Sequence, residues 1–216
     1  MKKLLLVLTL FISGWIHPGI KAQYNISVGF KSSAIGFDYI MKHKNGHSSD
    51  MRFGVSLGGM IPVEISNHFI VQPEFNVYYR SNMIKNDMDG TSRELMICGA
   101  EIPIYALYRW GSDNSSIHMG AGIYLGAGFI ASDRTNDIDL YDEEYLKRMD
   151  FGLGYMIGYR FKFGLSLQLE YKIGVLNALT SQNNNNKMYP QSVGIGLGYI
   201  FPAIKPKFTG QALSEL

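Results

Sequence analysis

The chain has 216 residues, of which 46% are hydrophobic, 18% charged and 13% aromatic, with 24 Gly, 7 Pro and a single Cys. Globular domains average about 25% charged residues and about 7% Gly, so low charge with abundant Gly and aromatics excludes a disordered tail, a collagen and a disulfide scaffold. A formal net charge of +2 leaves no basic footprint for nucleic acid, and the length suits one domain with one core or one small barrel.

Chain order begins with a basic head, Met1-Lys2-Lys3, then an apolar run from Leu4 to Ile16 broken only by Thr9, Ser13 and Gly14. Pro18 and the small residue Ala22 follow, which together describe a secretory leader cut after Ala22. The run is shorter than the ~20 residues of a spanning helix. Removing Lys2, Lys3 and Lys21 leaves the mature chain with a formal charge of −1.

Beyond the leader the apolar period is two, the signature of strands. The first strand starts near Asn25; Val28 and Phe30 share one face, then Ile35, Phe37 and Tyr39 share one, which predicts a β-bulge near Ser32–Ala34. Arg52–Pro62 alternates less cleanly. In Phe69–Arg80, Val71, Phe75, Val77 and Tyr79 oppose Gln72, Glu74, Asn76, Tyr78 and Arg80. Glu101–Arg109 follows, then Ile117–Ile130, where Ile117, Ile123 and Leu125 oppose His118, Gly122 and Gly126. Asp150–Arg160, Phe163–Gly174 and Ser192–Phe201 alternate strictly. Eight strands of about ten to seventeen residues exceed the ~5–6 of soluble strands and suit the ~9–11 of a tilted membrane crossing. Short connections (Val63–His68, Gly111–Ser115, Phe161–Lys162) alternate with long ones (Lys42–Asp50, Ser81–Glu94, Ala131–Met149, Val175–Pro190). The expected fold is therefore all-β: an eight-stranded antiparallel up-and-down transmembrane β-barrel, with short turns in the periplasm and long loops outside.

A secreted ligand carrier has the same period with its apolar face inside. Three features favour apolar-out. The polar face is mostly Gly and Ser, as the narrow interior of eight strands requires. Aromatics of the apolar face collect at strand ends: Phe69, Tyr108, Tyr159, Phe163, Tyr199 and Phe201 at one, Phe53, Tyr79, Phe129, Phe151 and Tyr171 at the other. The apolar face carries almost no charge.

Alternation then predicts a lumen containing Glu74, Glu101, Glu170, Lys172, Arg80, Arg109, Arg160 and His118. Centring the 81–94 hairpin between Asp87 and Met88 sets Glu74 opposite Glu101. Two carboxylates so close cannot both stay charged unpaired. A salt-bridge plug reached by Lys172 or an Arg is the leading expectation, with a cation site or gated pore as the functional alternative. No Ser–His pair is placed by spacing on one face, so no catalysis is expected. Cys98 reads as a small packed hydrophobe. No metal-ligand spacing and no cofactor motif appears. The acidic loop with Asp133, Asp137, Asp139, Asp142, Glu143 and Glu144 reads as a solvated loop, the alternative being divalent-cation bridging to lipopolysaccharide, and it is not an EF-hand. Gln182–Asn186 reads as a flexible polar tip.

Several strings, in order, resemble the PorT-like outer-membrane β-barrel proteins of Bacteroidota: Ile70-Val-Gln-Pro-Glu-Phe75, Ala100-Glu-Ile-Pro-Ile104, Gly120-Ala-Gly-Ile-Tyr-Leu-Gly126, Gly164-Leu-Ser-Leu-Gln-Leu-Glu-Tyr171 and Gly194-Ile-Gly-Leu-Gly-Tyr-Ile-Phe201. The leader's end, Lys21-Ala22-Gln23, is similar to that phylum's. The resemblance implies an eight-stranded outer-membrane barrel and little about activity; one class of members takes part in protein secretion. Gly196, Tyr199 and Phe201 resemble the last-strand signal read by the outer-membrane assembly machinery. The chain departs from many such barrels by continuing from Pro202 to Leu216, with Pro202 and Pro206 stopping the strand. The expected organisation is leader 1–22, barrel 23–201 and periplasmic tail 202–216. The expected role is structural or surface-binding, in contact with outer-membrane lipid and lipopolysaccharide and with a candidate periplasmic partner at the tail. A narrow pore and an accessory subunit of an envelope assembly stay open as alternatives.

Overall fold

A computed structural model describes residues 25–42, 47–86, 90–112, 115–134, 138–180 and 187–202. The expected leader, most of the tail, Asp87, Met88, Asp137 and the Gln182–Asn186 run lie outside the described residues.

Eight long antiparallel strands make the wall: β1 (Gly29–Lys42), β2 (His47–Met60), β3 (Phe69–Asn86), β4 (Ser92–Ser112), β5 (Ser115–Asp133), β6 (Met149–Arg160), β7 (Leu165–Gly174) and β8 (Lys187–Ile200). Each pairs with its chain neighbours, and β8 pairs back onto β1 from Ile200↔Gly29 to Lys187↔Lys42. The sheet therefore closes and leaves no edge. The short strands Asn25–Ile26 and Val63–Glu64 pair with each other at the end that carries the short turns, the turn end of the barrel; the opposite end is the loop end.

The faces fall as the alternation predicts. On β7, Leu167 and Leu169 point out, Leu169 46% exposed, while Gln168 and Glu170 point in, Glu170 6% exposed. Turn-end aromatics pair on the outer face at several places around the barrel: Tyr199 and Phe201 (5.3 Å between ring centroids), Tyr108 and Trp110 (4.4 Å), Tyr159 and Phe161 (4.7 Å). At the loop end, Phe53 stands 82% exposed.

Two expectations need correction. No bulge interrupts β1: its register with β8 is continuous from Gly29 to Lys42, and Val28 and Phe30 point out while Ile35, Phe37 and Tyr39 point in. The hydrophobic signal changes face because the lumen itself turns apolar towards the loop end. The register shifts occur instead in β2, between Met51 and Gly54, and beside Cys98 and Gly99 of β4. The stretch Ser81–Glu94 is mostly strand, because β3 and β4 continue as a ribbon from Ser81↔Met96 to Lys85↔Ser92.

The lumen is filled in layers. Near the turn end Ile70, Tyr105, Leu107 and Met156 pack together. At the loop end Ile35, Phe37, Tyr39, Tyr78, Leu95, Ile97, Ala131, Tyr141, Leu146 and Met188 form a larger cluster. The connection after β5 folds across this mouth, where Leu146 bridges Leu179 of the connection after β7. Inward glycines make the space: a Cβ on Gly128 would overlap the Tyr141 hydroxyl, and one on Gly99 would lie 2.5 Å from the Tyr78 hydroxyl.

A layered charge network in the barrel lumen

Between the two apolar layers lies a chain of ion pairs. Lys31 of β1 sits with Nζ 2.6 Å from Glu74 Oε2 of β3 and also bonds Glu170 of β7. Lys172 of β7 holds Glu170 Oε2 at 3.1 Å and bonds Glu101 of β4. Glu170 thus joins both lysines. Gln72 Nε2 donates to Glu74 at 2.8 Å and Asn76 Nδ2 donates to it at 3.2 Å. All five charged side chains are nearly sealed from solvent. Charges so buried persist only when each is paired and hydrogen-bonded.

Three carboxylates face two ammonium groups, and the third cation stands one layer up. Arg80 of β3 lies with its guanidinium carbon 4.1 Å from the Phe37 ring centroid and 4.3 Å from that of Tyr78, a cation–π contact with two rings. The gap between Ser33, Ser56, Arg80, Glu101, Glu170 and Lys172 has a volume of about 10 Å³, room for one water. The gap below Tyr141 and Leu146 is about 20 Å³. Burial pushes the Tyr141 hydroxyl up to about 12, so the loop that covers the mouth presents a neutral phenol to the cluster beneath it.

A separate cluster occupies the turn end. Glu64, on the connection between β2 and β3, accepts from Arg109 Nη1 at 3.0 Å and from Arg160 Nη1 at 3.4 Å. Arg109 Nε donates to the Asn67 carbonyl at 2.8 Å. Ser116 and His118, two residues apart on the inward face of β5, lie 3.1 Å apart, Oγ to Nε2. The expectation that no Ser–His pair shares a face is therefore wrong, since a two-residue spacing on a strand is a shared face. The pair is buried, and among the described residues no carboxylate bonds the imidazole; the nearby Glu64 is held by the two arginines.

The predicted lumen residues are thus all inward but divide into two sets. Glu74, Glu101, Glu170 and Lys172 meet in mid-lumen, with Arg80 above, while Arg109, Arg160 and His118 meet at the turn end. Glu74 and Glu101 are not cross-strand partners; Asn76 faces Glu101, because the β3–β4 hairpin turns one residue later than its sequence midpoint. The alternation pattern passes over two central residues. Lys31 is concealed by the supposed bulge, although unbroken alternation from Val28 and Phe30 places it inward. Glu64 lies in the two-residue strand of the β2–β3 connection, too short to carry a periodic signal. The last-strand residues sit on β8 and just beyond, with Gly196 directed inward and Phe201 exposed.

In the acidic loop, Arg148 pairs with Asp142 at 2.7 Å, Asp139 accepts from the Tyr141 amide at 2.8 Å, and Asp133 is buried. Cys98 is half-buried with a free thiol.

A closed eight-stranded antiparallel ring with an apolar outside and an ion-paired inside defines an outer-membrane β-barrel. The family model for the outer membrane protein beta-barrel domain matches residues 17–180, and the chain belongs to that family. No curated protein matches it in sequence. Among solved structures it is similar to the outer membrane protein OprG from Pseudomonas aeruginosa, with 14% identity, a TM-score of 0.51, and 83% of this chain and 96% of that one covered. It is also similar to Neisserial surface protein A, with 16% identity, a TM-score of 0.46, and 81% and 97% covered. At 14% identity the likeness to OprG speaks for the shared fold alone.

Proposed function

We propose that the protein is a closed outer-membrane barrel that conducts no ions and acts through its exposed loops, as a structural or surface-binding protein without catalysis. The observation that carries this reading is the filled lumen. Two apolar layers enclose a buried, ion-paired network, and the gaps on either side of Arg80, towards the network and towards the mouth, hold about one water each. A conducting barrel needs a continuous wet path. The turn end lies in the periplasm and the loop end outside, consistent with an exported chain whose leader is Met1–Ala22.

The ordered strings at Ile70–Phe75, Ala100–Ile104, Gly120–Gly126, Gly164–Tyr171 and Gly194–Phe201 fall largely on β3, β4, β5, β7 and β8, which supports a PorT-like barrel of Bacteroidota. Gly196, Tyr199 and Phe201 then serve as the assembly signal, and the tail after Pro202 faces periplasmic partners. Planar-bilayer recording tests the closed lumen. The refolded, heat-modifiable protein gives no unit conductance; discrete current steps from it would favour a pore.

A further inference from the structure

Ser33 of β1 and Arg80 of β3 both line the gap of about 10 Å³ that borders Glu101, Glu170 and Lys172. Ser33 is 6% exposed, and among the described residues its Oγ has no hydrogen-bond partner. The Nε of Arg80 is likewise buried without one. Among the described residues Arg80 makes no ion pair; its guanidinium rests on the Phe37 and Tyr78 rings. A hydroxyl and a guanidinium N–H left so in a dry interior each cost the desolvation of an unmade hydrogen bond. Both therefore point to a ligand in the gap.

Size and charge select that ligand. The volume admits one water-sized molecule. The charged groups around it cancel, Arg80 and Lys172 against Glu101 and Glu170, so an ion of either sign would lie against like charges. Water suits both kinds of neighbour. Its oxygen accepts from Ser33 and from Arg80. Its protons go to the carboxylates. Glu101 is bonded by Lys172, and Glu170 by Lys31 and Lys172; a carboxylate offers about four acceptor sites, so capacity remains on both.

We infer that one slowly exchanging internal water occupies this gap and joins Arg80 to Glu101 and Glu170. Arg80 is thereby the third counter-cation of Glu74, Glu101 and Glu170, acting through the water and not by contact. The three glutamates and their three cations, Lys31, Lys172 and Arg80, form one balanced unit. The inference rests on the closed lumen, since a continuous wet path would exchange such a water freely with the bulk.

The test uses the full-length protein in nanodiscs, mixed rapidly into oxygen-18 water and given a hydroxyl-radical pulse at set delays, with oxidation read residue by residue in a mass spectrometer. The Tyr78 ring borders the gap and is 5% exposed; a radical adding to it carries the oxygen of the nearest water. Tyr145, 59% exposed, reports the bulk. Tyr78 should be hydroxylated with ordinary oxygen long after Tyr145 has switched to the heavy isotope. Tyr78 also borders the gap beneath Tyr141, so variants at Ser33 identify which gap is read. S33V should shorten the lifetime of the ordinary-oxygen label by about fivefold, the share of one hydrogen bond. S33T has the same shape and keeps the hydroxyl, and should leave the lifetime unchanged. S33A supplies the comparison without added bulk, and all three variants are checked for folding by heat-modifiable mobility. An unlabelled Tyr78 would mean a dry gap, and a lifetime unmoved by S33V and S33A would mean a water that Ser33 does not hold; either result overturns the inference. Exchange at Tyr78 as fast as at Tyr145 also overturns it. With current steps in the bilayer recording, that result means an open lumen; without them, the failure is confined to the water site.

Discussion

The two charge clusters of the lumen use the same chemistry at different depths. In mid-lumen, two lysines hold three glutamates, each carboxylate anchored from a different strand of the ring. At the turn end, two arginines share Glu64, which stands on a connection and keeps 14% of its side chain exposed. The first cluster ties β1, β3, β4 and β7 across the barrel. The second ties a turn to β4 and β6 near water. A buried pair with one partner removed leaves an uncompensated charge in a dry place, whereas a charge near the mouth recovers part of its hydration. Depth, and not the number of ion pairs, sets how much each cluster matters.

The largest effect is expected for Lys31→Met, which leaves Glu74 and Glu170 without their shared cation. It should destabilise the barrel by roughly 3–5 kcal/mol, read as a lower urea midpoint in detergent. Adding Glu74→Gln and Glu170→Gln should recover most of that loss, because neutral side chains remain in place of unpaired carboxylates. A single Lys31→Met change that leaves the midpoint unmoved would place the charges in a wetter lumen than the burial implies.

Tyr141→Ala should come next, at roughly 2–4 kcal/mol or below, since it empties the aromatic from the loop-end cluster. Its diagnostic readout is faster hydrogen exchange of the Leu140 and Leu146 amides, both of which donate to carbonyls of this region, with no ion current, because the charge network below still seals the lumen. Current appearing on this change alone would mean that the loop is the only barrier.

Glu64→Gln should be milder, roughly 1–2 kcal/mol, as Arg109 keeps its bond to the Asn67 carbonyl. The shift should shrink in high salt, and a loss as large as that of Lys31→Met would remove the distinction between the clusters. Smallest of all is Lys85→Ala. Its pair with Asp50 leaves both side chains nearly half exposed, so the urea midpoint should move by no more than about 1 kcal/mol.

Much of the wall is legible in the order of the residues. Leu165, Leu167 and Leu169 against Ser166, Gln168 and Glu170 fix both the strand and its faces, because side chains on a strand alternate with period two and no other element does so over this length. Local turn lengths then order the strands. The interior is only half legible. Alternation says that a residue points in, not which residue it meets across the ring. The same limit makes Ile35, Phe37 and Tyr39 look like a phase change, since an apolar lumen layer and a bulge leave the same trace in one strand.

By itself the sequence determined eight amphipathic strands, an outside made for lipid and an inside carrying Glu, Lys and Arg. The tertiary structure alone decided that Lys31 joins Glu74 to Glu170, that Glu64 captures Arg109 and Arg160, and that the connection after β5 stoppers the mouth with Tyr141. The reason is physical: facing is a local property of the pleat, set residue by residue, whereas partnership across a closed barrel depends on register and closure, to which every strand contributes.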